Sequence, residues 1–274
     1  MICFPNAKIN IGLRILEKRP DGFHNLETIF YPVGLSDILE FVEDSSLNDG
    51  ICQLKTTGLP IQTSSEDNLV VKAYDLMNQL EKLPGIQVHL HKIIPMGAGL
   101  GGGSSDAAFM IKKLNEVHEN GLRLTEMEKL AAAVGSDCPF FLRNTPVFAF
   151  GSGNRFREIK LDLSGYYLVI VLPDIHVSTP EAYALVTPVK PDQSLYDLIN
   201  LPLNLWKETI MNDFEISIFN QFPEIKEIKE ELYHLGAEFA SMSGSGSAVY
   251  AIFKSPPQNM GMIEKYYYWQ GKLG

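Results

Sequence analysis

The sequence predicts a fold that mixes helices and strands in one large or two modest domains. Residues 8–15 alternate between polar and apolar side chains, which is typical of a strand with one buried face. Residues 69–80 and 223–235 instead carry apolar side chains at helical spacing. The length of 274 residues exceeds that of a usual single domain and leaves ample material for a core.

Composition and charge exclude several classes of protein. Hydrophobic residues make up 45% and charged residues 20%, as in ordinary soluble globular proteins. The net charge of −10 argues against nucleic acid or an anionic membrane as a partner, because either would need a basic face. Three irregularly spaced cysteines support neither a disulfide framework nor a metal site built on cysteine ligands. We expect a cytoplasmic protein, since a signal-peptide pattern and a long apolar run are both absent from the sequence.

The first predicted strand carries the first polar residues that are candidates for a functional site. Lys8 and Asn10 project from one face of it, although a strand lysine is most often on the solvent side. Turn residues 18–22 precede Phe23 and His24, which could stack on a base and bond its edge, although spacing alone favours surface packing. Further elements follow: short strands at 36–44 and 51–57, a helix over 69–80 capped by residues 66–68, and a strand over 86–94.

A glycine-dense stretch follows that strand and leads into another helical pattern. Without Cβ atoms, its backbone N–H groups can approach a ligand closely. The following apolar residues recur at helical spacing, with Ser104 or Ser105 expected as N-cap, so the positive end of a helix would face the glycines and favour an anion. We therefore predict a phosphate cradle rather than a flexible loop. Its residues are Pro95, Met96, Gly97, Ala98, Gly99, Leu100, Gly101, Gly102, Gly103, Ser104 and Ser105.

Common phosphate-binding motifs do not account for this stretch. A P-loop requires a lysine where Ser104 stands. Gly97, Gly99 and Gly102 satisfy the dinucleotide pattern G-x-G-x-x-G, but no strand ends in an acidic residue about 20 positions on. The protein-kinase glycine loop needs a following valine and a V-A-I-K strand, and the sequence has neither.

The middle of the chain predicts two helices and a turn. Thr125 and Glu128 form a capping-box pattern for a helix over 126–134, which Gly135 ends. Asp137 then precedes Cys138 and a proline, so the pattern alone favours a helix N-cap over a catalytic role. Cys138 is expected to be a small buried side chain.

The last 120 or so residues predict a second group of strands and helices, with a soft domain boundary at the glycines of 151–153. The predicted strands are 146–150, 157–163, 166–172, 237–242 and 247–253. The predicted helices start at Ser178 and Pro223, residues 187–203 are a loop or broken helix, and the aromatic tail 266–269 is a last helix. Residues 243–246 join two strands as a tight glycine loop.

Three stretches in this order resemble the GHMP kinase superfamily: Ala7–Leu13, the loop at 97–106 and Met242–Ala248. More narrowly, residues 18–28, 99–108 and 135–140 are similar to the branch that phosphorylates the 2-hydroxyl of 4-diphosphocytidyl-2-C-methylerythritol. The resemblance covers residues 7 to about 250, and the joint occurrence is far more specific than any single motif.

The resemblance implies a two-domain α+β fold and the use of ATP, with Mg²⁺ expected alongside. Residues 1–152 would resemble ribosomal protein S5 domain 2 and bind ATP, and residues 153–274 would be ferredoxin-like and contribute to the substrate site. The implied substrate is a cytidine-diphosphate-linked polyol in the non-mevalonate isoprenoid route, and no protein partner is predicted. The sequence identifies no ligand set for magnesium.

The same resemblance assigns site residues. It implies that Lys8 and Asp137 are catalytic and that Asn68 lies near the adenine. The residues implied to meet the substrate are Asn10, Phe23, His24, Thr179, Tyr183, Gly244 and Ser245. Phe23 stands where the family often has tyrosine, so stacking on cytosine would remain while a phenol hydrogen bond would be lost.

The physics of phosphoryl transfer agrees with these assignments, because the reaction needs positioning and charge neutralisation more than covalent help. Asp137 would orient the hydroxyl and take its proton late, and Lys8 would offset the arriving charge. Three alternatives stay open at this point: another GHMP kinase acting on mevalonate or homoserine, a non-catalytic ligand sensor on the same scaffold, and a nicotinamide-dependent oxidoreductase.

Overall fold

Interleaved parts of the chain form two units in the computed structural model, which describes residues 1–61 and 63–274. The first unit comprises Met1–Ala7, Leu35–Met96 and Gly101–Thr145. The second comprises Lys8–Gly34, Gly97–Leu100 and Pro146–Gly274. A boundary between residues 152 and 153 stays a prediction.

Strands and helices alternate irregularly along the chain. The strands are β1 (Ile2–Cys3), β2 (Asn6–Lys18), β3 (His24–Ser36), β4 (Ile38–Glu43), β5 (Cys52–Gly58), β6 (Ile86–Lys92), β7 (Val147–Gly151), β8 (Arg155–Glu158), β9 (Tyr167–Leu172), β10 (Phe239–Met242), β11 (Val249–Phe253) and β12 (Tyr267–Lys272). The helices are α1 (Leu69–Leu80), α2 (Gly102–Val117), α3 (Leu124–Val134), α4 (Cys138–Arg143), α5 (Thr179–Ala184), α6 (Leu195–Leu198), α7 (Leu203–Thr209), α8 (Phe214–Gln221) and α9 (Pro223–His234), with a 3₁₀ turn at Gly261–Lys265.

The first unit is built on a sheet of order β1-β4-β6-β5. Strand β5 pairs with β6 in parallel, and α1 makes the connection between them, whereas the other pairs are antiparallel. Helix α1 forms where predicted, because the Asn68 side chain accepts the N–H of Val70 and apolar residues then follow at helical spacing. Its buried residues are Val70, Ala73, Tyr74 and Met77. Helix α1 packs on α2, which also contacts α3 and α4.

The second unit contains two sheets. The first has the order β2-β3-β7-β8, with the ends of β2 and β3 that fall in the first unit excepted. The other has the order β10-β11-β9-β12, and all its pairs are antiparallel. Helix α9 covers β10 and β11 with Ile225, Ile228 and Leu232, which are fully buried in the apolar core.

One predicted element has a different type, and two others differ in their bounds or capping. The aromatic tail is strand β12, in which Trp269 lies opposite Ile170 of β9, because aromatic side chains fit a pleated sheet as well as a helix. The helix predicted over 126–134 starts at Leu124. Its N-cap is Arg123, whose backbone N–H donates to the carboxylate of Glu126, so the capping box expected between Thr125 and Glu128 is not the one that forms. The strand expected over 157–163 ends at Glu158.

Candidate active site

Lys8 lies on β2 of the second unit and is buried, with 3% of its surface exposed. Its ammonium donates hydrogen bonds to the carbonyl of Gly99 at 2.9 Å and to Oδ1 of Asn10, and it lies 4.8 Å from the ring centre of Phe30. Its backbone N–H donates to the carbonyl of Leu100 at 2.9 Å. The expectation from alternation alone, a solvent-facing lysine, is therefore wrong: the cation is held against the first part of the glycine stretch.

Asn10 holds the ammonium of Lys8 in place. Its Nδ2 donates to Oγ1 of Thr28 at 3.0 Å, which leaves Oδ1 directed at Lys8. Its backbone N–H donates to Oγ of Ser243 at 3.1 Å, and its carbonyl accepts the hydroxyl of Tyr250 at 2.9 Å. Both sides of the amide are thus used within the protein. Contact between Asn10 and a substrate stays a prediction.

The third motif, Met242–Ala248, packs against residues 97–100 through one side-chain and one backbone hydrogen bond. The hydroxyl of Ser243 donates to the carbonyl of Gly99 at 2.9 Å, and the N–H of Ala248 donates to the carbonyl of Ala98 at 3.3 Å. Gly99 has φ +78°, and a Cβ there would lie 1.9 Å from the carbonyl oxygen of Ser243. Only glycine fits at this position, which explains one residue of the glycine-dense stretch.

The residues predicted to meet a nucleoside form two small groups in the second unit. The ring of His24 stacks on that of Tyr183, with centroids 4.9 Å apart and an interplanar angle of 21°. Oγ1 of Thr179 lies 3.1 Å from Oγ of Ser245. Phe23 is 66% exposed, so its ring is available for contact with a ligand. The pattern-based preference for mere surface packing does not account for a histidine paired with a ring 159 residues away.

The first unit contains the second part of the glycine stretch, at the start of α2. Gly101 is the N-cap residue with φ +71° and provides no side-chain cap, so the expected N-cap role of Ser104 or Ser105 is wrong. Both serines lie in the first turns of the helix. A Cβ on Gly102 would lie 2.8 Å from Cγ2 of Ile94, so close packing requires glycine here as well. The 16-residue helix therefore begins with N–H groups that no N-cap side chain covers, and its dipole favours an anion at this end.

Three buried ionisable residues, Lys92, Asp37 and Asp106, lie together at the first turns of this helix, and Asp106 belongs to the helix itself. The ammonium of Lys92 donates to Oδ2 of Asp106 at 2.7 Å and to Oδ2 of Asp37, and all three side chains are at most 2% exposed. A Cβ on Gly102 would lie 3.2 Å from Nζ of Lys92. Burial raises the pKa of Asp106 to about 8 against the opposing effect of Lys92, and Asp37 raises it further. The two carboxylates raise the pKa of Lys92 although burial lowers it.

Asp137 and Asn68 also belong to the first unit. Asp137 occupies the N-cap position of α4, as the pattern predicts, but its side chain makes no capping hydrogen bond with that helix. Cys138 next to it is buried, and burial raises the pKa of its thiol to about 12, which rules it out as a nucleophile near neutral pH. Asn68 is 8% exposed, and its Oδ1 accepts the N–H of Val70 as the N-cap of α1. Its place near an adenine stays a prediction.

Residues 1–61 and 63–274 contain neither a cluster of metal ligands nor a membrane-spanning helix. Within them, no three histidine, cysteine or acidic side chains come together as a metal site, so no residue is assigned to Mg²⁺. An Mg²⁺ ion that comes with a nucleotide is commonly bound through the phosphates and few protein groups. No helix in this part of the chain has the length and apolarity needed to span a bilayer.

Sequence patterns missed several residues of these sites. Thr28 and Asp37 lie in stretches with no recognisable motif, and Lys92 ends a strand as an ordinary polar residue. Ser243 stands in the third motif, but its bond to Gly99 depends on two segments 144 residues apart. The only available signal was the co-occurrence of the motifs, which indicates that they act together and does not indicate which atoms meet.

Comparison with known proteins identifies two family domains in the chain. Residues 68–145 match the family model of the GHMP kinases N-terminal domain, and residues 195–260 match that of the GHMP kinases C-terminal domain. The chain is 49% identical to 4-diphosphocytidyl-2-C-methyl-D-erythritol kinase of Parabacteroides distasonis over 275 aligned residues, which cover 100% of both chains. It is 55% identical to the protein of the same name from Bacteroides thetaiotaomicron, with 93% of this chain and 92% of the relative covered.

Solved structures agree with these relatives. A crystal structure of 4-(cytidine 5'-diphospho)-2C-methyl-D-erythritol kinase superposes with a TM-score of 0.84 and 31% identity. The alignment covers 100% of this chain and 99% of that chain. The expected two-domain GHMP kinase fold is confirmed.

Proposed function

Because the chain belongs to the 4-diphosphocytidyl-2-C-methyl-D-erythritol kinases of the GHMP kinase superfamily, we propose that it transfers the γ-phosphate of ATP to the 2-hydroxyl of that substrate. The observation that carries the proposal is the identity of 49% to 55% to relatives of this name over at least 92% of each chain. The reaction would give a 2-phosphate and ADP, within the non-mevalonate supply of isoprenoid precursors.

Lys8 would stabilise the charge that develops during transfer. A phosphoryl group that passes between oxygens spreads negative charge over its own oxygens, and a fixed cation lowers the barrier most where water is excluded. The ammonium of Lys8 is buried and held by Gly99 and Asn10, so it need not reorganise when the phosphoryl group arrives. This preorganisation supports a role for Lys8 in catalysis.

Asp137 would orient the substrate hydroxyl and accept its proton. A carboxylate is too weak a base to ionise an alcohol beforehand, so the proton would move late, as the new O–P bond forms. Asp137 stands at the start of α4, within the segment 135–140 whose sequence resembles the kinases of the cytidine substrate.

The glycine stretch would bind the phosphates of ATP. Gly99 and Gly102 let the protein's own Ser243 and Ile94 pack closely on the stretch. The support for phosphate binding is the start of α2, which offers N–H groups without a side-chain cap at the positive end of a helix dipole. Mg²⁺ would neutralise part of the phosphate charge when it is bound with the nucleotide.

The cytidine would be recognised by the stacked pair of His24 and Tyr183, together with the exposed ring of Phe23. Aromatic faces stack on a base whether or not a phenol is present, so phenylalanine is compatible with this role. Thr179 and Ser245 carry hydroxyls that can bond the polar parts of the substrate.

The test is a turnover assay followed by phosphorus NMR. The protein is incubated with ATP, Mg²⁺ and 4-diphosphocytidyl-2-C-methyl-D-erythritol, and in parallel with mevalonate or homoserine as acceptor. We expect a new phosphomonoester signal and stoichiometric ADP only with the cytidine substrate. Faster turnover of mevalonate or homoserine would assign a different alcohol, and ATP binding without consumption of ATP would indicate a ligand sensor.

A further inference from the structure

Asn212, which lies between α7 and α8, donates two hydrogen bonds from its side-chain amide to the third motif. It is 2% exposed, and its Nδ2 donates to the carbonyls of Met242 and Gly244 at 2.8 Å each. Its Oδ1 accepts the N–H of Phe214 at 3.0 Å. The two amide protons thus bond the carbonyl oxygens of the residues before and after Ser243.

The residues around Asn212 also bind the strand that carries Lys8. The N–H of Leu13 on β2 donates to the carbonyl of Met211 at 3.0 Å, and the carbonyl of Leu13 accepts the N–H of Asp213 at 2.8 Å. Oδ2 of Asp213 accepts the N–H of Ile15 at 2.7 Å. The short segment 211–213 therefore joins β2 to the loop that follows β10.

Glu215, one turn further on, fixes the end of β10. Its Oε1 accepts the N–H of Met242 at 2.8 Å and the hydroxyl of Ser241 at 3.0 Å, and its Oε2 accepts the ammonium of Lys229 at 2.6 Å. The strand end is therefore held independently of Asn212. Loss of the Asn212 amide would remove two bonds from the loop and leave the strand before it in place.

The loop that Asn212 holds contains Ser243, which bonds the same carbonyl oxygen as Lys8. The hydroxyl of Ser243 and the ammonium of Lys8 both donate to the carbonyl of Gly99, at 2.9 Å each. Oγ of Ser243 also accepts the N–H of Asn10, whose side chain is the other partner of that ammonium. A shift of the loop would displace Ser243 and with it two contacts that fix Lys8.

We propose that Asn212 is a positioning residue for phosphoryl transfer, which acts through Ser243 and Gly99 to place the ammonium of Lys8. The inference rests on the proposed function, since it takes Lys8 as the catalytic cation. Asn212 is 2% exposed, so its effect would come through the geometry of the residues it bonds. Because a displacement of about 1 Å at a reacting group can cost about 100-fold in rate, its loss should lower kcat more than it alters KM.

The substitution Asn212→Asp tests this with almost no change of shape. It puts a carboxylate oxygen where Nδ2 faces two carbonyl oxygens, so both donated bonds become repulsive contacts. The matched control is Asn200→Asp, because Asn200 also donates from Nδ2 to two carbonyls, at 2.9 and 3.4 Å, but lies exposed at the end of α6. We expect kcat to fall 10- to 100-fold in N212D, with both KM values within about 3-fold of the parent, and N200D to match the parent.

A double-mutant cycle with Ser243→Ala separates positioning from general destabilisation. If Asn212 acts through Ser243, the double variant will be no slower than the slower single variant, because the contact is already lost. If N212D does not fold, Asn212→Ser replaces it in the same cycle, since one hydroxyl proton cannot supply both donated bonds and serine adds no charge. A kcat of N212D equal to that of N200D would overturn the inference, and so would a double variant whose loss is the product of the two single losses.

Wild-type turnover is measured first, so failure of the proposed function is seen separately. If the parent does not phosphorylate the cytidine substrate, the proposed function is refuted, and the crystal structure of N212D becomes the readout. We expect the distances from Gly99 O to Ser243 Oγ and to Lys8 Nζ to increase from 2.9 Å by about 1 Å. Unchanged distances would overturn the positioning role.

Discussion

Replacing Asp106 by asparagine should remove a pH dependence of stability that the buried charges of the first unit create. Two carboxyl groups share one ammonium at positions that exclude water, so one carboxyl is stabilised by retaining its proton. Asp37 has the better ionic environment, since its Oδ1 accepts the N–H groups of Ile93 and Ile94 while its Oδ2 binds Lys92. Oδ1 of Asp106 is buried and has no hydrogen-bond partner within residues 1–61 and 63–274. The proton therefore belongs on Asp106.

The direction of the effect follows from the raised pKa. In the folded protein the pKa of Asp106 is about 8, against 3.8 in the unfolded chain, so the folded state binds one more proton between these values. The free energy of unfolding consequently falls as pH rises through this window, by about 1.4 kcal/mol per pH unit. The stabilisation is complete below pH 3.8 and is lost by about pH 8. The charged groups that act on Asp106 are Lys92 on β6 and Asp37 before β4, and Cys3 on β1 stays a neutral thiol because burial raises its pKa to about 11.

Asp106→Asn has the shape of the neutral carboxyl and cannot ionise. The difference in unfolding free energy between D106N and the parent should therefore shift in favour of D106N by about 3 kcal/mol from pH 5.5 to 7.5 and level off above about pH 8. Urea unfolding at half-unit steps of pH measures it. Exposed Asp192→Asn serves as control and should give a constant difference. Parallel curves for D106N and the parent would show that Asp106 is ionised throughout, contrary to the charge argument.

Two further predictions concern the catalytic and nucleotide-binding residues. Asp137→Asn should lower kcat at least about 100-fold with ATP affinity kept, because the amide cannot accept the hydroxyl proton; isothermal titration with ATP and steady-state rates measure the two, and turnover within a few-fold of the parent would exclude the role. Gly99→Ala should raise the KM for ATP at least about 10-fold or lower stability by 1–3 kcal/mol, since its Cβ would lie 1.9 Å from the carbonyl of Ser243. Gly165→Ala, which also has positive φ but open space around it, should show only the backbone strain, and equal effects of the two substitutions would refute the close-packing argument.

The elements that the sequence predicted well are those whose signal is local. The helix over 69–80 carries its own cap in Asn68 and its own apolar stripe, so neither depends on distant residues. The strands on either side of residues 243–246 likewise form an antiparallel pair, with Met242 opposite Val249. The aromatic tail failed for the complementary reason: four consecutive aromatic residues have no period, and pairing with β9, about 100 residues earlier, decides that they form a strand.

Lys8 shows the limit of a periodic pattern at a functional site. Alternation correctly placed Lys8 and Asn10 on one face of β2, but a pattern contains no information on what covers that face. Residues 97–100 and Ser243 cover it in the second unit, so the face is polar and buried at once. A polar residue on a strand marks solvent only when nothing with matching hydrogen-bond groups packs on it.

The buried charges under α2 show what a motif leaves undetermined even when it is identified correctly. The sequence places Asp106 directly after the serines of the glycine stretch, where an acidic residue near a helix start is expected to be ionised and favourable to the dipole. In the structure its neighbours are Lys92, 14 residues before it, and Asp37, which lies 55 residues before Lys92. One cation among two buried acids makes the neutral form the stable one, so the local electrostatic potential under the helix start depends on a proton. The protonation state of Asp106 therefore depends on which ionisable side chains are buried beside it, and the motif alone does not show them.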